Sequence, residues 1–132
     1  MKVVCIYNEI DEKLAKKVGL LDGEPRLYRS ISPGNEYVVL GITHSPDLSC
    51  YAGFPAVEVR SDTGDLSAVP LFMFDIVDTS ASRYWHIKFE DGALTMLPES
   101  FYSDFYHDDL SEGVPDVVEG FKAVCKAIES ES

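Results

Sequence analysis

The chain has 132 residues, 45% of them apolar, and a formal net charge of −12. That size suits one domain with one real core, read as residues 1–132. No apolar run approaches the ~18 residues of a membrane span. The charge excludes capture of nucleic acid by phosphate neutralisation and attraction to an anionic membrane surface.

The excess of acids is lopsided. Residues 1–36 carry six Lys/Arg and six Asp/Glu, whereas residues 37–132 carry five and seventeen. Between Phe89 and Phe121 there are nine acids and no Lys or Arg. Ordinary surfaces mix the signs, and an unmixed field repels itself, so a macromolecular partner of this chain is expected to be basic.

Met1-Lys-Val-Val-Cys-Ile-Tyr7 lacks the apolar region and cleavage site of a signal peptide, and the expectation is a cytoplasmic protein. Cys5, Cys50 and Cys125 are odd in number and widely spaced, which argues against a disulfide framework. Cys5 and Cys125 read as buried thiols, and Cys50, beside a loop, as the exposed one.

In chain order, Lys2–Tyr7 reads as a strand. Asn8-Glu-Ile-Asp11 reads as a helix cap, followed by Ile10, Leu14 and Val18 at helical spacing and Gly19 as the stop. Leu20–Leu27 is a loop broken by Asp22-Gly23 and Pro25. Ser32-Pro-Gly-Asn35 is a turn, with Gly34 supplying the positive φ. Tyr37–Thr43 is a strand with Val38, Leu40 and Ile42 on one face, and His44–Cys50 is a polar loop. Ala56–Arg60 is a strand with Val57 and Val59 inward, ended by the turn Asp62-Thr-Gly-Asp65.

Val69–Asp78 is apolar on both alternating faces, the pattern of a strand in the middle of a sheet. Tyr84–Phe89 alternates, with Trp85, Ile87 and Phe89 inward. Asp91-Gly92 is a two-residue hairpin signal that sets Phe89 opposite Leu94 and Ile87 opposite Met96. Pro98–Tyr102 forms one helical turn, and Tyr106–Gly113 is an acidic loop. Pro115 opens a last helix whose stripe is Val117, Val118, Phe121, Val124, Cys125 and Ile128. Gly120 inside it suggests a close contact. The sum is α+β: a bent antiparallel sheet or SH3-like partial barrel with a packed C-terminal helix.

No H-E-x-x-H, C-x-x-C or facial-triad spacing accompanies His107-Asp108-Asp109, so neither a metal nor a cofactor is expected. A solvated loop or an interface is the better reading of that cluster. His44 and Cys50, with His86 or His107, could pair as nucleophile and base, but no protease or nucleophile-elbow signature surrounds them, and a catalytic role is not expected. Asp75, the one charge inside its strand, and Asp78, which closes it, read either as rim acids salt-bridged to Arg83 or Lys88 or as acids aimed at a partner. Tyr84, His86, Tyr102, Phe105 and Tyr106 are aromatics beside acids, suited to the buried centre of an interface, although some must be a lid over the core.

Lys2–Asn8 followed by Ile31-Ser-Pro-Gly-Asn-Glu-Tyr-Val-Val39 resembles the opening of small bacterial and phage SH3-like domains, with a helical insertion between its halves. Pro70-Leu-Phe-Met-Phe-Asp-Ile-Val-Asp78 with Ser82-Arg-Tyr-Trp85, and Leu97-Pro-Glu-Ser-Phe101 through Phe105-Tyr-His-Asp-Asp109, resembles small immunity proteins of bacterial polymorphic-toxin and contact-dependent growth inhibition systems. That resemblance, over two thirds of the chain, implies a cytoplasmic, non-enzymatic inhibitor of one cognate toxin, often a nuclease.

The expected function is therefore neutralisation of a basic protein toxin by occlusion. Asp104, Asp108, Asp109, Glu112 and Asp116 are the charged contacts, Tyr102 and Tyr106 the anchors, and Asp75, Asp78 and His86 further contacts. Two alternatives use overlapping residues. One is a phage-type nucleic-acid mimic that inhibits a host DNA-binding enzyme. The other is a small hydrolase, which would need at least three of His44, His86, His107, Asp75 and Asp109 to converge.

Overall fold

The structure, a computed structural model, describes residues 1–20, 26–46 and 53–131. Strand β4 (Glu36–His44) is the element the others surround. One of its edges pairs with β5 (Ala56–Arg60). The opposite edge is divided: β1 (Lys2–Cys5) takes Glu36–Val38, and β9 (Ala93–Pro98) takes Ile42–His44. β6 (Leu66–Pro70) extends the sheet beyond β5, β7 (Phe74–Asp78) beyond β1, and β8 (Trp85–Glu90) beyond β9. All these pairs are antiparallel. The result is the bent, open sheet of an α+β fold.

The bend has a local cause. Val39 pairs with Val59 and Gly41 with Glu58, so Leu40 is an extra residue on β4, a β-bulge. The bulge reverses the alternation. Val38 and Leu40 pack on one side of the sheet, but Ile42 packs on the other, not on the same face as the sequence pattern suggests. Gly41 is needed at this point because a Cβ there would collide with the Leu97 side chain and sit 3.3 Å from Glu58 Oε2.

Val69–Asp78 is not one central strand. A single 3₁₀ turn, Leu71–Met73, divides it into β6 and β7. Pro70 has no N–H for the ladder, and the chain leaves the sheet as Leu71 N donates to Pro55 O at 2.8 Å. Among the described residues β7 then pairs with β1 alone and stands at the sheet's edge, where Ile76 and Val77 are exposed.

The β8–β9 hairpin has the expected register, Phe89 opposite Leu94 and Ile87 opposite Met96. Asp91 and Gly92 both take positive φ, 52° and 79°, as a type I′ turn requires. Its predicted burial is wrong: Ile87 and Phe89 are 69% and 72% exposed. The hairpin runs past the body of the sheet, and its inner end alone reaches the core, through Leu97 and through Trp85, whose Nε1–H donates to Leu40 O at 2.9 Å.

Before these strands come a small two-stranded unit, β2 (Glu9–Ile10) with β3 (Arg26–Leu27), and helix α1 (Glu12–Val18). The cap is Asp11, not Asn8: its carboxylate accepts the Leu14 N–H at 2.8 Å. Gly19, at φ 79°, closes the helix as expected. Asp22, Gly23, Pro25 and Cys50 lie outside the described residues.

The sheet carries a core on each face. One gathers Val3, Cys5, Val39, Val57, Val59, Val69 and Met73 with Ile10, Leu14 and Ile31. The other gathers Leu40, Leu97, Phe101, Tyr106, Phe121, Cys125 and Ile128. The second is roofed by α2 (Tyr106–Ser111) and α3 (Pro115–Glu129). Phe121, Cys125 and Ile128 are the buried stripe of α3, as their spacing predicts. Gly120 is exposed with nothing near it, so the expected close contact is absent. Among the described residues no helix is long and apolar enough to cross a membrane.

Candidate functional site

Residues 106–111 form a helix where a loop was predicted, and this decides the site. The segment begins at Phe105, whose φ of 61° is left-handed. For a bulky side chain this costs about 1–2 kcal/mol. Its carbonyl accepts the Asp109 N–H at 2.8 Å, the first helical bond of α2. The turn points the Phe105 ring away from the body, and the residue is 74% exposed. Tyr106 then points inward. Tyr106, expected as an interface anchor, is 6% exposed and stacks on Phe101 with ring centres 4.8 Å apart. It belongs to the core, and burial pushes its phenol up to about 12. The strained aromatic left in solvent is Phe105, and strain of this kind collects at functional sites.

Along the chain, acids flank Phe105. Asp104, Asp108, Glu112 and Asp116 are exposed, and Asp109 is half-buried. Asp108 and Asp109 lie in the first turn of α2 and Asp116 in the first turn of α3, where the helix dipole favours negative charge. Asp104 and Glu112 have no such support. Among the described residues, the one ion pair made by an acid between Glu90 and Glu119 is Glu119 with Lys122, at 3.6 Å and exposed. The negative charge of this face is therefore not cancelled from within.

Besides Tyr106 in the core, α2 is tied to the sheet by a contact the sequence did not reveal. His107 Nε2–H donates to Glu58 Oε1 on β5 at 2.6 Å, with Glu58 only 8% exposed. The hydrogen bond to Glu58, with the charges of Glu58 and Asp108, raises the His107 pKa above its ordinary value despite partial burial. Strict alternation had put Glu58 on an outer face. It is covered because both faces of β5 are roofed. The Glu58 Oε2 atom and the Tyr106 Oη are buried with no aligned hydrogen-bond partner among the described residues.

The other expected contacts lie apart from this face. Asp75 and Asp78 are on β7, the edge strand beside β1. Asp78 Oδ1 accepts the Ser80 N–H at 2.9 Å, which lowers its pKa. Neither acid meets the predicted cation: Arg83 lies over the Tyr84 ring at 5.0 Å, and Lys88 over the Tyr102 ring at 4.4 Å. His86 is on β8, where it lines a groove with Arg83, Tyr84, Glu99 and Ala127. Tyr102 is a half-buried brace, its Oη donating to His86 O at 2.7 Å.

His44 bonds Gly53 O at 2.8 Å and His107 bonds Glu58, while His86 is on β8, so the three histidines sit on different elements. Among the described residues no three His, Cys, Asp or Glu side chains are grouped to hold a metal ion. Cys5 and Cys125 are buried free thiols, and burial raises the pKa of both, that of Cys125 to about 11. Comparison with family models, curated proteins and solved structures returned no match.

Proposed function

We propose that this chain is a non-enzymatic, acidic binding protein that neutralises one cognate basic toxin, of nuclease type, by occupying its substrate cleft. The observation that carries the reading is Phe105, an aromatic side chain held in solvent by a strained backbone, in a stretch of chain whose exposed acids lack ion-pair partners apart from Glu119 among the described residues. Binding energy concentrates in a few aromatic and charged residues ringed by weaker polar contacts. Here the anchor is Phe105, with Asp104, Asp108, Asp109, Glu112 and Asp116 as its charged surround.

A nuclease must offer a basic cleft to the phosphates of its substrate. Carboxylates on a rigid helix stand in for those phosphates, and complementary fields raise association rates to about 10⁸–10⁹ M⁻¹s⁻¹ at low salt. That speed suits an inhibitor that must intercept a toxin before it acts. The resemblance of Pro70–Asp78 and Leu97–Asp109 to immunity proteins points the same way.

The test uses the purified protein as bait for proteins of its source cell, beside an Asp108→Lys/Asp109→Lys variant and Phe105→Gly. The reading requires a basic protein that the wild type captures, that both variants release, and whose toxicity the wild type suppresses. Equal capture by all three baits, or capture of acidic proteins only, overturns it. A captured host DNA-binding enzyme without toxicity would assign the same acids to nucleic-acid mimicry instead.

A further inference from the structure

Beside the acidic face lies a cleft of opposite character. It opens between the turn after β5, α2 and α3, with a volume of about 580 Å³. After residue 36 the chain has only five Lys/Arg, yet Arg60 and Lys122 both line this cleft, and His107 joins them. Thr63 adds a hydroxyl, and Leu66 and Phe121 contribute apolar wall. Its volume falls in the range of about 300–1,000 Å³ usual for small-molecule sites, and its lining mixes polar groups with apolar wall.

Arg60 and Lys122 are only loosely paired by the charges already present. Arg60 Nη1 is 3.9 Å from Glu129 Oε1 and Lys122 Nζ is 3.6 Å from Glu119 Oε1, both between exposed groups. Exposed pairs of this kind are worth about 0–1 kcal/mol and yield readily to a better-placed anion. Asp65 also lines the cleft and opposes an anion, and His107 Nε2 is already engaged by Glu58 Oε1 at 2.6 Å, so an incoming anion is held first by Arg60 and Lys122 in exchange for their loose exposed partners.

We propose that this cleft binds a small organic anion, with a phosphate or carboxylate head held by Arg60, Lys122 and His107 and an apolar body lying on Leu66 and Phe121. The guanidinium suits a bidentate oxyanion, and the ammonium and imidazolium supply further donors. The proposal does not rest on partner capture by Phe105 and the acids, although His107 shares α2 with Asp108 and Asp109.

Phenyl phosphate is the probe, with inorganic phosphate as head alone and phenol as body alone, followed by the backbone amide NMR shifts of the full chain. Saturable shifts confined to Arg60, Thr63, Leu66, His107 and Lys122 are expected with phenyl phosphate, weaker ones with phosphate and none with phenol. Arg60→Gln and Lys122→Gln, both at exposed side chains, should each weaken binding about tenfold or more. Absence of saturation, shifts scattered over the surface, equal response to phenol, or indifference to both substitutions would overturn the proposal.

Discussion

His107 Nε2 lies 2.6 Å from Glu58 Oε1, joining the acidic helix to the middle of the sheet. The partners are 49 residues apart in sequence. Glu58 is the buried member and His107 the half-exposed one. Removing the imidazole leaves a carboxylate under α2 and α3 with no donor. His107→Ala should therefore cost about 1–3 kcal/mol, read from urea unfolding. A loss below a few tenths would mean that the contact does not secure α2.

The same pair predicts a pH dependence. The His107 pKa is raised in the folded state above its ordinary 6.5. Its charge-dependent contribution is then complete below pH 6.5 and fades as pH rises through the folded value. The stability gap between wild type and His107→Gln should narrow over that interval. A gap that widens with rising pH contradicts the assignment of Glu58 as the partner.

Gly41 sits where the bulge of β4 brings Leu97 and Glu58 against the backbone. Gly41→Ala should destabilise by about 1–3 kcal/mol through overpacking, whereas Gly120→Ala, in open space on α3, should stabilise by about 0.5–1 kcal/mol. Thermal melts of the two variants should move in opposite directions, and a shared direction would show that the bulge or the helix face is misplaced.

Phe105→Gly separates stability from function. The left-handed backbone costs Phe about 1–2 kcal/mol, the exposed ring buries little, and the glycine adds about 0.5–1 kcal/mol of chain entropy. The variant should be as stable as the wild type or slightly more so, while losing partner affinity. Marked destabilisation would make Phe105 a structural residue.

Ile87 and Phe89 stand in solvent on the hairpin. Ile87→Thr/Phe89→Thr should change stability by no more than about 1 kcal/mol for the pair, far less than two core truncations. Loss of several kcal/mol would restore the inward orientation that alternation suggests.

Local chemistry was the legible part of this fold. The Asp91-Gly92 turn, the hairpin register, Gly19, Pro115 and the stripe of α3 follow from φ preferences and periodicity, and each is where those rules put it. Non-local consequences were not legible. Alternation tells the faces of β8 apart, but not how far the hairpin outruns the body, so Ile87 and Phe89 were read as core. It could not register the extra residue in β4, which turns Ile42 to the other face. Of the site, the acids were visible as charge. Their ordering depends on Glu58 meeting His107 across the fold, for which a strand reading Ala-Val-Glu-Val-Arg gives no local sign. The exchange of Tyr106 for Phe105 as the exposed ring follows from a single left-handed residue, and no rule predicts that at Phe.

The association rate of the captured partner, measured at low and high salt for wild type and for Asp108→Lys/Asp109→Lys, tests the acidic face most directly. Capture by an uncompensated field predicts a fast wild-type rate that falls steeply with salt, and a slow, nearly salt-independent rate for the variant. Equal rates and equal salt slopes for the two proteins would contradict the account.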